Sequence, residues 1–222
     1  GKVDGVKVTV EGEEKTIKSQ AVVVTTGGYG ANFEMLEEQN PELKDYVTTN
    51  SEGTTGDGIK MIEALGGQTV DMDQIQIHPT VQQDNGVLIG EVVRGEGAIM
   101  VSQEGKRFVN EMDTRDNVSA AENKLKEKSS YLIFDDGVKE RAAAIAFYEK
   151  QGFVVQSDSI EGLAKELDMD ASNLEETLTT WNKAVADKKD AEFGRETAMD
   201  HALDSGNYYA IKIAPGIHYT MG

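Results

Sequence analysis

Residues 21–32 read AVVVTTGGYGAN. An unbroken run of apolar and β-branched residues comes first, then a cluster of glycines, then an asparagine ahead of Phe33 and Leu36. The run Ala21–Thr26 shows no alternation, so it predicts a strand covered on both faces, as in a parallel sheet. Gly27-Gly28-Tyr29-Gly30 lets the backbone turn sharply or come close to a ligand. Asn32 stands where a side-chain cap would start a helix reaching Gln39. Strand, tight turn and helix in this order put the first part of the chain in the α/β class.

Towards the N-terminus, Val6, Val8 and Val10 alternate with polar residues, the period of a half-buried strand. Glu11-Gly12-Glu13 reads as a turn and Lys15–Lys18 as the returning strand. The opening GKVDGVKVTV reads from Gly1 as a strand already under way. Towards the C-terminus, Thr54-Thr55-Gly56-Asp57-Gly58 opens a helix over Ile59–Leu65, which Gly66-Gly67 stops. Val70–Ile77 reads as extended chain entering His78-Pro79-Thr80. The character changes after about residue 72. Ile99–Val101 and Arg107–Val109 flank Glu104-Gly105 as a hairpin, and YLIF at Tyr131–Phe134 is a short buried strand. Helices are expected over Val138–Lys150, over Ser159–Leu167 with Ser157 or Asp158 as cap, and over Ala171–Asp187. The last carries Leu174, Leu178, Trp181 and Val185 on one face. Asn207–Ile213 reads as a strand, and Pro215-Gly216 as a turn. The division is an α/β piece over 1–72 and an α+β piece over 73–217.

With 222 residues, 38% of them hydrophobic, the chain can fill one large core or two small ones. Its net charge of −18 repels nucleic acid and anionic membranes, so neither is an expected partner. Any anion site must be a local cationic pocket set against that field. There is no cysteine, which removes disulfides and thiolate metal sites. No apolar run reaches a membrane span's length, and no signal peptide is visible.

Five places carry residues suited to chemistry. At Gly27-Gly28 a flat or anionic ligand could approach the backbone, although a tight βα turn explains the glycines equally. Asp57, beside Gly56 at a helix start, could bond a cofactor hydroxyl or simply cap the helix. Pro79 holds His78 extended and so aims its imidazole, although a lone histidine is often structural. Glu91 and Arg94 stand three apart and share one face of a helical turn, so they could pair, or be a solvated salt bridge. His218 and Tyr219 follow a turn in PGIHYTMG. No metal site is expected.

Together these segments resemble the flavoprotein of the fumarate reductase and succinate dehydrogenase family, and most of all its soluble flavocytochrome c type. The likeness rests on TTGGYGAN at 25–32, TTGDG at 54–58, QIHPT at 76–80, EVVRGEGAIMVSQEGKRFVNEMDTRD at 91–116 and PGIHYTMG at 215–222. It runs over essentially the whole chain, in family order. The resemblance implies that 1–72 is the middle of a Rossmann-like FAD-binding domain, that 73–217 is a capping or clamp domain, and that 218–222 begins the return. A dicarboxylate such as fumarate or succinate is trapped between the two domains in that family. By the same resemblance, His78, Glu91 and His218 bind the substrate, the histidines at its two carboxylates, Arg115 delivers a proton, and Glu91 and Arg94 relay it. Gly27, Gly28, Gly56, Asp57 and Tyr219 stand in the flavin-contacting segments. Gly90 replaces the threonine common before that glutamate, which removes one hydroxyl donor.

Reducing a C=C bond between two carboxylates needs a hydride on one carbon and a proton on the other, and reduced flavin is a hydride source. The GxGxxG cradle and a second carboxylate-binding arginine are not in the chain, so by itself it is expected to be flavin-free and inactive, with FAD held in a longer parent. The electron donor, a haem domain, an FMN domain or a soluble nicotinamide, is expected outside it, and the parent in the cytoplasm. The alternatives are a reductase of another unsaturated acid, of urocanate type, and a non-catalytic acidic capping module.

Overall fold

The structure is a computed structural model and describes residues 2–221; Gly1 and Gly222, the outer ends of the first strand and of the last motif as read above, lie outside the described residues. The polypeptide organises as two units, one of Gly1–Lys44, Asn50–Ile75 and Tyr219–Gly222, the other of Asp45–Thr49 and Gln76–His218. The border near residue 75 lies close to the change of character read from the sequence. The segment 45–49 belongs with the second unit, not with the α/β piece.

In the first unit the alternating valines form the hairpin of β1 (Gly5–Val10) and β2 (Glu13–Lys18). Val10 pairs with Glu13, so the loop has two residues. Glu11 and Gly12 both have positive φ, 53° and 84°, as a two-residue loop matched to strand twist requires. Asn32 caps α1 (Phe33–Gln39), accepting from the Met35 N–H. After a short 3₁₀ turn at Pro41–Leu43 comes α2 (Asp57–Ala64). The strand expected over 21–26 does not form. That stretch is irregular, no described strand pairs with it, and Val23 is 82% exposed. A β-branched run has strand propensity, but a strand exists only where a neighbour takes its backbone hydrogen bonds. The extended chain expected over 70–77 is also shorter, because regular structure begins only at Ile75.

The second unit is built on one sheet of five strands, in the order β3-β7-β5-β4 with β6 also on β7. These are β3 (Ile75–Val81), β4 (Ile99–Val101), β5 (Ser130–Asp135), β6 (Val154–Ser157) and β7 (Tyr208–Thr220). β5 and β6 flank the first half of β7, both antiparallel to it. Pro215-Gly216 does not turn the chain; β7 runs through it. A β-carbon on Gly216 would meet three Val81 atoms at 2.9–3.0 Å, so glycine here serves a close approach of β3 and not a bend.

The helices are α3 (Val92–Gly95), α4 (Arg115–Glu122), α5 (Asp136–Arg141), α6 (Ile145–Lys150), α7 (Ile160–Glu166) and α8 (Ala171–Asp187). The single helix expected over 138–150 is two, broken at Ala142, whose ψ of 80° leaves the helical region. The cap of α7 is Ser159, which accepts from the Gly162 N–H, and not Ser157 or Asp158. α8 matches its expected span, and Leu174, Leu178, Trp181 and Val185 all enter the core with Leu132, Ile133 and Ile211.

Candidate active site

His78, Glu91, Arg94, Arg115 and His218 all lie in the second unit, although three of the intervals between them exceed ten residues. Each reaches the cluster from a different local setting. His78 sits in β3, where a residue preceding proline is naturally extended. Its Nδ1 accepts from the Thr80 N–H at 3.2 Å, while Thr80 Oγ1 donates to the Ile89 carbonyl at 2.6 Å. Nδ1 is therefore an acceptor, and the neutral ring carries its proton on Nε2. That Nε2 is buried and has no hydrogen-bond partner among the described residues. Burial, with help from Arg94, Arg115 and His218, pushes the imidazole down to about 3, so His78 is neutral across the physiological range.

Glu91 precedes α3 and Arg94 lies within it, so the spacing of three does put them together: Arg94 Nη2 stands 3.7 Å from Glu91 Oε1. Arg94 is buried and Glu91 is half exposed. Arg94 Nη1 donates to the Glu111 carbonyl at 2.7 Å, whereas its Nε and Nη2 have no hydrogen-bond partner among the described residues. Burial draws the Arg94 guanidinium below its ordinary range.

Arg115 is the first residue of α4, behind the cap Thr114. A cation there opposes the helix dipole, and the opposition is met by anionic and polar partners. Nε and Nη2 donate to the two Glu91 oxygens at 2.8 and 3.2 Å, and Nη1 donates to Gln76 Oε1 at 2.8 Å. Those hydrogen bonds from Arg115 hold the Glu91 carboxyl below its usual range, despite partial burial. His78 Nε2 is 4.0 Å from Glu91 Oε1. The His78 and His218 rings meet edge to face with centroids 5.2 Å apart.

His218 lies near the end of β7. Its Nδ1 is 2.8 Å from Thr49 Oγ1. The segment carrying Thr49 runs beside that strand: the Thr49 N–H donates to the Ile217 carbonyl at 2.9 Å and the Ile217 N–H to the Val47 carbonyl at 2.8 Å. Thr49 and Gln76 did not figure among the sequence candidates. Gln76 stood inside the QIHPT motif. Thr49 had no local signal at all, since it is 169 residues from its partner.

The remaining candidates lie in the first unit. Asp57 is the first residue of α2, behind the N-cap Gly56, in the first helical turn where a carboxylate suits the helix dipole. Its carboxylate is exposed. Gly56 and Gly27 have φ of 79° and 82°. A β-carbon on Gly28 would strike Thr220 Oγ1 at 1.9 Å, so packing inside the unit is enough to require glycine there. Tyr219 is 52% exposed. Asp57, Gly27 and Tyr219 are thus exposed donors and acceptors of the kind a dinucleotide flavin uses, whereas Gly56 is buried and Gly28 partly so. Among the described residues no cluster of histidines and carboxylates suits a metal ion, and no helix is long and apolar enough to cross a membrane.

Compared with known proteins, all of residues 1–222 match the family described as FAD binding domain. The chain is 46% identical over 221 residues to the NADH:fumarate oxidoreductase of Klebsiella pneumoniae, covering 99% of this chain and 24% of that protein. It is 44% identical over 206 residues to the fumarate reductase (cytochrome) of Shewanella frigidimarina, covering 93% of this chain and 36% of that one. The open conformation of a flavocytochrome c3 fumarate reductase superposes with a TM-score of 0.77 at 38% identity, over 99% of this chain and 39% of the other. The chain thus spans between a quarter and two fifths of the length of these relatives.

Proposed function

The chain belongs to the FAD binding domain family, and from that premise we propose that it forms the substrate-holding part of a flavin-dependent enzyme that reduces the C=C bond of fumarate to give succinate. The observation that carries this reading is the buried, unpartnered Nε2–H of His78 beside the Arg115–Glu91–Arg94 chain. A neutral imidazole with one free donor, 4.0 Å from a Glu91 carboxylate that two arginines already neutralise, is suited to a carboxylate. A desolvated donor without a partner is costly, and an anionic oxygen removes that cost.

His78 and His218 grip the two carboxylates, which fixes the double bond and draws electron density from it. FAD, when bound with Gly27, Gly28, Gly56, Asp57 and Tyr219 among its contacts, supplies the hydride. Arg115 gives the proton to the other carbon, so that one hydride and one proton turn the alkene into the saturated acid. An arginine is a poor acid in water, with a pKa above about 12. It serves here because the developing carbanion is a strong base and because Glu91, an ionised carboxylate bonded to it, can pass on to the deprotonated guanidine a proton taken up from water. Glu91 touches solvent and Arg115 together, which makes it the natural entry for protons. Arg94 keeps that carboxylate charged and in place.

The test uses the flavin-loaded enzyme that carries this chain, with fumarate-dependent oxidation of a reduced viologen as the assay. R115A is expected to lose turnover by about 10²–10⁴-fold, the usual worth of a positioned acid. Full turnover in R115A would remove the assigned acid and with it this reading. H78A is expected to raise KM for fumarate by roughly 10–100-fold, from the ~1.5–3 kcal/mol of a hydrogen bond to a charged group; an unchanged KM would detach His78 from the substrate.

A further inference from the structure

Behind Arg94 lies a second charged cluster, buried throughout, that the mechanism above does not use. Arg195 engages all five of its N–H groups. Nη2 donates to the carbonyls of Arg94 (2.9 Å) and Ala198 (2.8 Å), Nη1 to the carbonyl of Ala98 (3.0 Å) and to Glu111 Oε2 (3.1 Å), and Nε to the Thr197 carbonyl (3.0 Å). Glu111 also takes Nε and Nη2 of Arg107 at 2.8 Å each and the Met100 N–H at 3.2 Å. Arg107 Nη2 donates to Asp190 Oδ2 at 2.9 Å. Two guanidiniums thus face two carboxylates. The Trp181 ring lies under both cations, 4.7 Å from Arg107 and 4.6 Å from Arg195.

Both ends of Arg94 are tied to this cluster. Its backbone carbonyl accepts from Arg195, and its Nη1 donates to the backbone carbonyl of Glu111, the residue whose carboxylate bonds Arg195. The helix that carries Arg94 is one turn long and has no side-chain cap, so it cannot hold its own geometry. The cluster leaves Arg94 Nε and Nη2 unsaturated. A brace serving stability alone would have no need to end on a guanidinium with two donor nitrogens to spare.

We propose that Arg195, clamped by Glu111, is a positioning residue for the proton relay: it fixes the turn 94–98 and the Arg94 side chain so that Nη2 is held against Glu91. The proposal rests on the reading of Glu91, Arg94 and Arg115 as a relay. It goes beyond it in assigning a role to buried residues outside the relay itself. A lysine keeps the charge at 195 but presents a single point in place of a planar fork, and cannot span the Arg94, Ala98 and Ala198 carbonyls together.

In the flavin-loaded enzyme, R195K is expected to lower kcat about 10–100-fold, the effect of displacing a reacting group by roughly an ångström. KM for fumarate, set by the two histidines, should stay within about twofold. The solvent deuterium isotope effect on kcat should rise, because proton resupply becomes slower. An unchanged kcat and isotope effect would overturn the proposal. So would a fall in kcat that only follows lost flavin and a lowered melting temperature, the mark of a purely structural role. If R195K does not accumulate folded, E111Q is measured for kcat, KM and isotope effect instead, and the same results support or overturn the proposal. R115A is run beside them: if it keeps full turnover the relay itself fails, whereas if it is inactive and R195K is normal, only the positioning role fails.

Discussion

Two buried titratable residues make opposite demands on pH. His78 has its folded pKa pushed from 6.5 to about 3, chiefly by burial. Between those values the unfolded chain binds a proton that the folded chain refuses, so this residue makes stability rise with pH over that window and fall on acidification. Glu122 is fully buried and takes a 2.6 Å hydrogen bond from Ser130 Oγ, and burial pushes its carboxyl well above 4.5. Above 4.5 the folded chain therefore holds a proton that the unfolded chain releases, and stability falls as pH rises. Because the slopes oppose, each is isolated by its own variant. Denaturant unfolding from pH 4 to 6 is expected to show H78Q gaining on the wild type as pH falls, by about 1.4 kcal/mol per unit. E122Q is expected to gain on the wild type as pH rises from 5 to 8. A pH-independent difference in either case would contradict the assigned protonation state.

Among the elements, β7 shows most clearly how packing overrides local signals. Pro215-Gly216 is a turn pair by sequence, yet strand continues through it, because Val81 of β3 needs the space a side chain would fill. G216A is expected to cost about 1–3 kcal/mol, the usual penalty for overpacking, measured by chemical unfolding. The run 21–26 is the converse. Its composition favours a strand, but Val23 is 82% exposed and unpaired with any described strand. V23T is accordingly expected to change the unfolding free energy by no more than about 0.5 kcal/mol. A strand buried on both faces would have answered with several times that.

At the level of the molecule, apolar burial is unevenly shared. The main core, from Ile89 to Ile213, belongs to the second unit. In the first unit the buried hydrophobic residues are Tyr29, Leu36 and Leu43. Sparse burial means low local stability. Native-state hydrogen exchange is expected to exchange β1 and β2 first and β5 and β7 last; equal protection in the two units would refute this. The net charge of −18 adds self-repulsion throughout, so moderate salt is expected to raise the melting temperature by screening it.

Local physics was legible in the chain: the hairpin of β1 and β2, though Val6 and Val10 are exposed rather than half-buried, the Asn32 cap, the full span of α8 and its buried face. So were the motifs that carried the family likeness. His78, Glu91, Arg94, Arg115 and His218 could be named because they sit inside those motifs, and the spacing of Glu91 and Arg94 even gave their shared face. What holds them was not legible. Gln76 on Arg115, Thr49 on His218 and Arg195 on Glu111 join residues 39, 169 and 84 positions apart. Spacing encodes only contacts within a turn or between neighbouring strands. Contacts across such distances arise when the sheet and its helices bury their common core, and that burial alone decides which charged groups share one desolvated space.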